Sequence, residues 1–200
     1  MKHALLIALV LGTACDNLSA PPPPSMPWLH GFSAVAVTDT LTPQASRRIA
    51  SVLATAAEDD YGGLELRADL AGDTRTETVL ASYSLGVAVM DPGGRLVALA
   101  PAFDAGGSAD DLVSLAAGDG QLGSPVIVLA VQTGGHRENA IWVAIYRMTS
   151  SRMLQRLFYA PIETHEGSET RTGTLSFTRS GLSYRAPDAT ARTAAQPSVE

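Results

Sequence analysis

The chain has one cysteine among its 200 residues, one lysine (Lys2) and few aromatic side chains, which make up 6% of the sequence. A single cysteine excludes an internal disulfide, so the fold must depend on an apolar core, and an apolar share of 46% is ordinary for a globular domain. The formal net charge is −6, and the arginines are scattered rather than gathered into a basic stripe. This composition argues against binding to nucleic acid.

Long apolar runs are also missing, since no run reaches the ~20 residues that a membrane-spanning helix needs. The apolar run nearest the amino terminus covers residues 4–12, after the positive charge of Lys2. The small residues Thr13 and Ala14 follow it and stand directly before Cys15. Because this is the layout of a secretory signal peptide, the sequence predicts a cleavable signal over residues 1–14.

Residues 11–15, Leu-Gly-Thr-Ala-Cys, resemble the lipobox of bacterial lipoprotein precursors, although Gly12 stands where that family usually has an aliphatic residue. In that family the cysteine receives a diacylglyceryl group before cleavage on its amino side. The resemblance implies that Cys15 is acylated, by palmitate or a similar chain. It also implies a place in the bacterial cell envelope, lipid-anchored to the inner or the outer membrane. The alternatives are an ordinary signal peptide followed by an unmodified cysteine, and a buried core cysteine.

Proline composition divides the rest of the chain into a linker, a body and a tail. Residues 15–27 form a linker with four consecutive prolines, which favour an extended polyproline rod between the lipid and the body. Residues 28–185 are predicted to form a single globular β-rich domain. Residues 186–200 are small and polar without an apolar period, which predicts a disordered tail.

Two helices are predicted within the body. Thr42 and Pro43 open an apolar pattern of period 3.6, which predicts a helix over about 43–59 that ends before the glycine pair at 62–63. Ser108 is followed by acidic residues and then by leucines at helical spacing, which predicts a second, short helix over about 109–117.

The remaining segments are typical of strands, and the predicted fold class is α+β, β-rich. Nine apolar or alternating runs are expected to be strands: Leu64–Ala68, Thr78–Ser84, Gly86–Met90, Arg95–Ala100, Pro125–Gln132, Ala140–Met148, Leu154–Ile162, Thr172–Thr178 and Leu182–Arg185. Short glycine-containing connections predict antiparallel hairpins and meanders, because parallel pairs need long crossovers. Residues 71–81 and 117–130 also form a faint repeat, in which Gly-Asp precedes an apolar strand.

Acidic residues are spaced along one loop at Asp69, Asp73 and Glu77, directly before a predicted strand. The segment at 69–82 resembles the calcium loop and strand of FG-GAP or VCBS-type repeats, in which acids at these positions hold calcium with their oxygens. Ala71 and Thr74 stand where those families have an acidic residue and a glycine. The resemblance implies a degenerate calcium site, and apart from that calcium no cofactor is expected. The alternative is a plain Asx-type turn before a strand.

Motifs of known hydrolases, such as Gly-x-Ser-x-Gly and His-Glu-x-x-His, are absent from the sequence. Each of His30, His136 and His165 is therefore expected to be a solvated surface residue. We hypothesise a cell-envelope lipoprotein with a non-catalytic binding or structural domain that is attached to the membrane through lipid. The sequence does not indicate which protein or glycan it binds. Two alternatives stay open: a periplasmic or surface hydrolase with a dispersed active site, and a calcium-dependent FG-GAP-like adhesion module.

Overall fold

A computed structural model describes residues 26–54, 62–83, 85–100, 112–134 and 138–187. These residues form thirteen strands and one helix. The strands are β1 Leu29–His30, β2 Ser33–Thr38, β3 Leu64–Ala68, β4 Glu77–Ser82, β5 Gly86–Met90, β6 Leu96–Ala100, β7 Leu112–Asp119, β8 Pro125–Gly134, β9 Glu138–Met148, β10 Leu154–Glu166, β11 Glu169–Thr172, β12 Thr174–Thr178 and β13 Gly181–Arg185, and the helix is α1 Pro43–Leu53. The strand-rich, antiparallel α+β class predicted from the sequence is confirmed.

A six-stranded antiparallel sheet forms the centre of the molecule, in the order β11-β10-β9-β8-β7-β2. Both of its faces are covered along β8, where Ile127 and Leu129 face one core and Val126 and Val128 face another. A strand covered on both sides has no polar face, which explains the nearly continuous apolar run of β8.

A four-stranded meander in the order β3-β4-β5-β6 packs on one face of the central sheet. Helix α1 covers the outer face of this meander, where Ala45 and Ile49 contact Leu80 and Ala88. The predicted amphipathic face of the helix is the face that is buried.

A three-stranded sheet in the order β1-β12-β13 packs on the opposite face of the central sheet. Its β1 strand runs parallel to β12. Met26, Trp28 and Phe32 flank this short strand and are at most 3% exposed. The folded body therefore includes Met26, near the end of the segment predicted to be a linker.

The central sheet accommodates a proline in β10 by an irregularity in the pairing with β9. Pro161 has no N–H to donate, and the register shifts between Pro161 and Glu163. The hydroxyl of Tyr184 donates to the carbonyl of Pro161, and the N–H of Gly173 donates to the carbonyl of Ile162. These contacts connect β10 to the three-stranded sheet where β11 does not pair with it.

Helix α1 begins where the sequence predicts but ends at Leu53, not near residue 59. Ala54 takes up a left-handed conformation with φ 52°, and its N–H group donates to carbonyls of the last turn. A left-handed residue is a common helix end, which turns the chain out of the helix before the predicted stop.

The prediction of a second helix is wrong over residues 112–117, because these residues belong to β7. Residues 109–111 of that prediction lie outside the described residues. β7 pairs with β8 on one side and with β2 on the other. Leu112, Leu115 and Ala116 are buried, and a run buried on both faces gives the same apolar spacing as a short helix. Gly118 is a point of close approach and not a helix stop, because a Cβ there would lie 2.1 Å from the carbonyl oxygen of Ser33.

Several strand boundaries also differ from the prediction. β1 and β2 were not predicted, and the expected strand over residues 172–178 is β12 alone, preceded by β11 in a hairpin with β10.

The signal peptide, Cys15, most of the linker and all of the tail beyond Pro187 lie outside the described residues. Of the helical residues that the structure describes, none form a segment long and apolar enough to cross a membrane.

Candidate functional site

The loop between β3 and β4 is organised by the carboxylate of Asp69. One of its oxygens accepts hydrogen bonds from the N–H groups of Gly72 and Asp73, at 2.6 and 3.2 Å. The other oxygen accepts from the N–H of Thr74 at 2.8 Å. Asp69 thus holds the loop closed in the manner of an Asx turn, since both oxygens already accept backbone donors.

The other two predicted calcium ligands also bind the backbone. Asp73 accepts from the N–H of Arg75 at 3.0 Å, and Glu77, which is only 6% exposed, accepts from the N–H of Leu70 at 2.8 Å. Within the described part of the chain, no three His, Cys, Asp or Glu side chains are grouped so that they could hold a metal ion. The calcium site stays a prediction, and a binding measurement tests it.

A second acidic turn, between β5 and β6, lies beside this loop. Asp91 accepts from the backbone N–H of Arg95 at 2.9 Å and forms an ion pair with its guanidinium at 2.7 Å. The backbone N–H of Arg95, and then its side chain, lower the pKa of Asp91 below the usual value of an aspartate, against a smaller desolvation effect.

A cleft of about 550 Å³ separates these two turns from the turn that joins β9 to β10. We call it the arginine cleft, because Arg75, Arg95 and Arg152 line it, one from each of the three turns. Val97 and Met148 supply apolar lining and pack against the core between the central and four-stranded sheets. An apolar surface with a few polar groups around it is the usual composition of a ligand pocket.

The charged side chains that line the arginine cleft differ in whether they have a partner within the protein. The three acids that line it accept backbone N–H groups, and Asp91 also pairs with Arg95. Arg75 and Arg152 are exposed, and neither guanidinium forms an ion pair with another described residue. Backbone N–H groups leave Asp73 and Glu77 negatively charged, so the lining carries three acids and three arginines. Arg75 and Arg152 are the two guanidinium groups that can turn their donors to a ligand.

A separate polar cluster lies on the hairpin of β10 and β11. His165 Nε2 is 2.7 Å from a carboxylate oxygen of Glu163, and His165 Nδ1 is 3.0 Å from the hydroxyl of Thr170. A cavity of about 350 Å³ adjoins this cluster, and Glu166 and Glu169 also line it. The His165 side chain is 33% exposed on this hairpin, and both of its ring nitrogens have a partner there.

The other two histidines and the two tryptophans occupy less specific positions. His30 is exposed on β1, and His136 lies outside the described residues. Trp28 is buried, whereas Trp142 is half-buried on β9 with its ring centroid 5.0 Å from that of Tyr159.

Sequence reasoning missed Arg75, Asp91, Arg95, Arg152 and Thr170 as site residues. The Asp-Pro-Gly-Gly sequence at 91–94 was recognisable as a turn. Its position beside residues 69–77 follows from the order of the strands. Local sequence patterns do not predict that order. The hydrogen bond between Thr170 and His165 likewise depends on the register that places the two residues opposite each other.

No family model, curated protein or solved structure matches the chain.

Proposed function

We propose that the chain is a bacterial cell-envelope lipoprotein, acylated at Cys15, whose β-rich body is a non-catalytic binding module. The observation that carries the proposal is the way the chain enters the body. Met26 is fully buried and Trp28 is 3% exposed, so the residues just after the proline stretch are part of the core. A tether attached there is joined directly to the folded body.

The backbone strengthens this attachment. The carbonyl of Trp28 accepts a hydrogen bond from the N–H of Leu175 at 3.0 Å, and β1 pairs with β12. A polyproline segment rises about 3.1 Å per residue, so the roughly ten residues between Cys15 and Met26 span about 30 Å when extended. The predicted linker is thus long enough to hold the body clear of a lipid surface.

The attachment and the arginine cleft lie on opposite sides of the central sheet. Met26 and Trp28 pack in the core shared with the three-stranded sheet, whereas Val97 and Met148 pack against the core shared with the four-stranded sheet. In an anchored molecule the tether would join the layer opposite to the one that carries the apolar lining of the cleft.

The test is metabolic labelling of the full chain with a fatty-acid analogue, followed by membrane fractionation. We expect label on the protein and recovery in the membrane fraction, and both should be lost in Cys15→Ser. Ser25→Cys combined with Cys15→Ser is the matched control, because it keeps one cysteine outside the lipobox and should stay unlabelled. An unlabelled, membrane-free wild-type protein would overturn the proposal.

A second candidate function, hydrolysis, is favoured by the cluster around His165. A carboxylate, an imidazole and a hydroxyl in hydrogen-bonded sequence are the elements of nucleophilic catalysis, with Glu163 orienting His165 and His165 accepting the proton of Thr170. Neutral ester substrates test this reading. Activity that is lost in His165→Ala and in Thr170→Val, but kept in His30→Ala, would establish it, and no turnover by the wild-type protein would remove it.

A further inference from the structure

We infer that the arginine cleft binds an oxyanion, a carboxylate or a phosphate, carried on a compact apolar body. This inference rests on the proposed binding function and names the class of ligand that the module takes. It begins with the charged side chains: Asp73 and Glu77 accept backbone N–H groups and keep their negative charge, and Arg95 is paired with Asp91. Arg75 and Arg152 remain, without an ion pair to any described residue.

Guanidinium groups select the chemistry of the ligand. Their planar donor pairs match the two oxygens of a carboxylate or the oxygens of a phosphate, and they remain charged at every physiological pH. Two such groups from different turns can hold one oxyanion from two directions. The apolar lining from Val97 and Met148 favours a ligand whose remaining part is uncharged.

The backbone conformation of Arg152 adds a second observation. Arg152 has φ 60°, a left-handed conformation that glycine or asparagine adopts more easily. The turn fixes this conformation, because the N–H of Arg152 donates to the carbonyl of Thr149 at 2.9 Å. Left-handed residues are common in short hairpin turns, and here the conformation fixes the position of Arg152 beside the cleft.

Binding of simple probes to the purified full chain in detergent tests the inference. Calorimetry and thermal melting are measured with phenyl phosphate, phenylacetate, inorganic phosphate and benzyl alcohol. We expect one of the two aromatic anions to bind more tightly than inorganic phosphate and to raise the melting temperature, and we expect benzyl alcohol to do neither. The better of the two anions identifies the ligand as a phosphate or a carboxylate, and its binding should weaken in about 1 M NaCl.

Variants locate the site. Arg75→Gln and Arg152→Gln should each weaken binding about tenfold or more, the usual effect of losing a charge-assisted hydrogen bond. Arg179→Gln is the matched control, because Arg179 is exposed in the turn between β12 and β13, away from the cleft. Arg152→Gly separates binding from folding, since it relieves the left-handed strain and should lose the ligand without lowering the melting temperature.

Three results would overturn the inference: equal weakening by Arg179→Gln, equal binding of benzyl alcohol, or no binding of either aromatic anion up to about 20 mM. None of them bears on Cys15, and a failure of fatty-acid labelling would not change the binding of the probes. The ligand class and the membrane attachment are therefore judged by separate measurements.

Discussion

At the scale of the single residue, aspartates accept backbone N–H groups at several turns of the described chain. Asp73 and Asp119 each follow a glycine, and each accepts a hydrogen bond from the N–H two residues later, at 3.0 and 2.7 Å. The Gly-Asp repeat noticed in the sequence is thus a repeat of turn chemistry. It introduces the second strand of two hairpins, β3 with β4 and β7 with β8.

Asp91 gives a prediction about proton binding. Because its pKa is lowered in the folded protein, it stabilises the fold above the usual pKa of an aspartate, and that stabilisation is lost as the pH falls through the lowered pKa. Asp91→Asn should remove this part of the acid dependence of the melting temperature. Arg95→Gln should raise the pKa of Asp91 only partway, because the backbone N–H, the largest cause, is kept.

Carbon-detected NMR titration of the Asp91 carboxyl measures this effect. Arg179→Gln serves as the control for the loss of a distant guanidinium and should leave the Asp91 titration unchanged. A full return of the pKa to its usual value in Arg95→Gln would show that the side chain, and not the backbone N–H, is the main cause.

Calcium provides the second prediction at this scale. Since Asp69 accepts backbone donors with both oxygens, the Asx-turn interpretation predicts no rise in melting temperature at about 5 mM calcium. A rise that disappears in Asp73→Ala would instead establish the calcium site implied by the FG-GAP resemblance. Asp119→Ala is the matched control, because it removes an aspartate with the same turn contact outside the loop.

At the scale of the element, strand β7 shows why the spacing of apolar residues can mistake a strand buried on both faces for a helix. Its residues 114–118 are buried in an unbroken run, because sheets cover both faces of the central sheet. Alternation of apolar and polar residues identifies a strand only when one face meets water. The strands that were predicted most accurately, β3 and β5, were marked by the glycines and turns at their ends.

The end of helix α1 provides a prediction at the same scale. Ala54 holds a left-handed conformation with φ 52°, which costs a residue with a Cβ about 1 kcal/mol. Ala54→Gly should therefore raise the free energy of unfolding by up to about 1 kcal/mol in a urea titration. Ala50→Gly, within the helix, should lower it by about 1 kcal/mol or more, and effects of the same sign would contradict this account.

At the scale of the whole molecule, the three stacked sheets make two cores that share the central sheet, and helix α1 makes a third, smaller one against the outer face of the four-stranded sheet. The core against the three-stranded sheet depends on residues next to the predicted linker, among them Met26, Trp28 and Phe32. The segment that would connect the body to the membrane is therefore also part of the structure that closes one side of the molecule.

Trp28 tests this arrangement. Trp28→Ala should lower the free energy of unfolding by about 3–5 kcal/mol, since it removes a large side chain from a closed core. Trp142→Ala is the matched control, and because Trp142 is half-buried its cost should be clearly smaller in the same urea titration. Equal costs would mean that Trp28 is not an essential part of the core.

Local chemistry accounts for the features of the fold that could be predicted from the sequence. The start of α1 follows from Thr42 and Pro43, and the aspartate and glycine turns follow from conformations that these residues adopt readily. The β-rich class follows from strand-like runs with short connections. These signals are readable because each depends on residues close together along the chain.

The tertiary structure alone decided the order of the strands, the strand conformation of residues 112–117 and the places where charges meet. Arg75 and Arg152 are far apart in the sequence, yet they line one cleft because the four-stranded sheet packs against the central sheet. His165 gains Glu163 and Thr170 only through its register with β11. Packing between sheets brings together residues distant in the chain, and no local preference specifies which residues will meet.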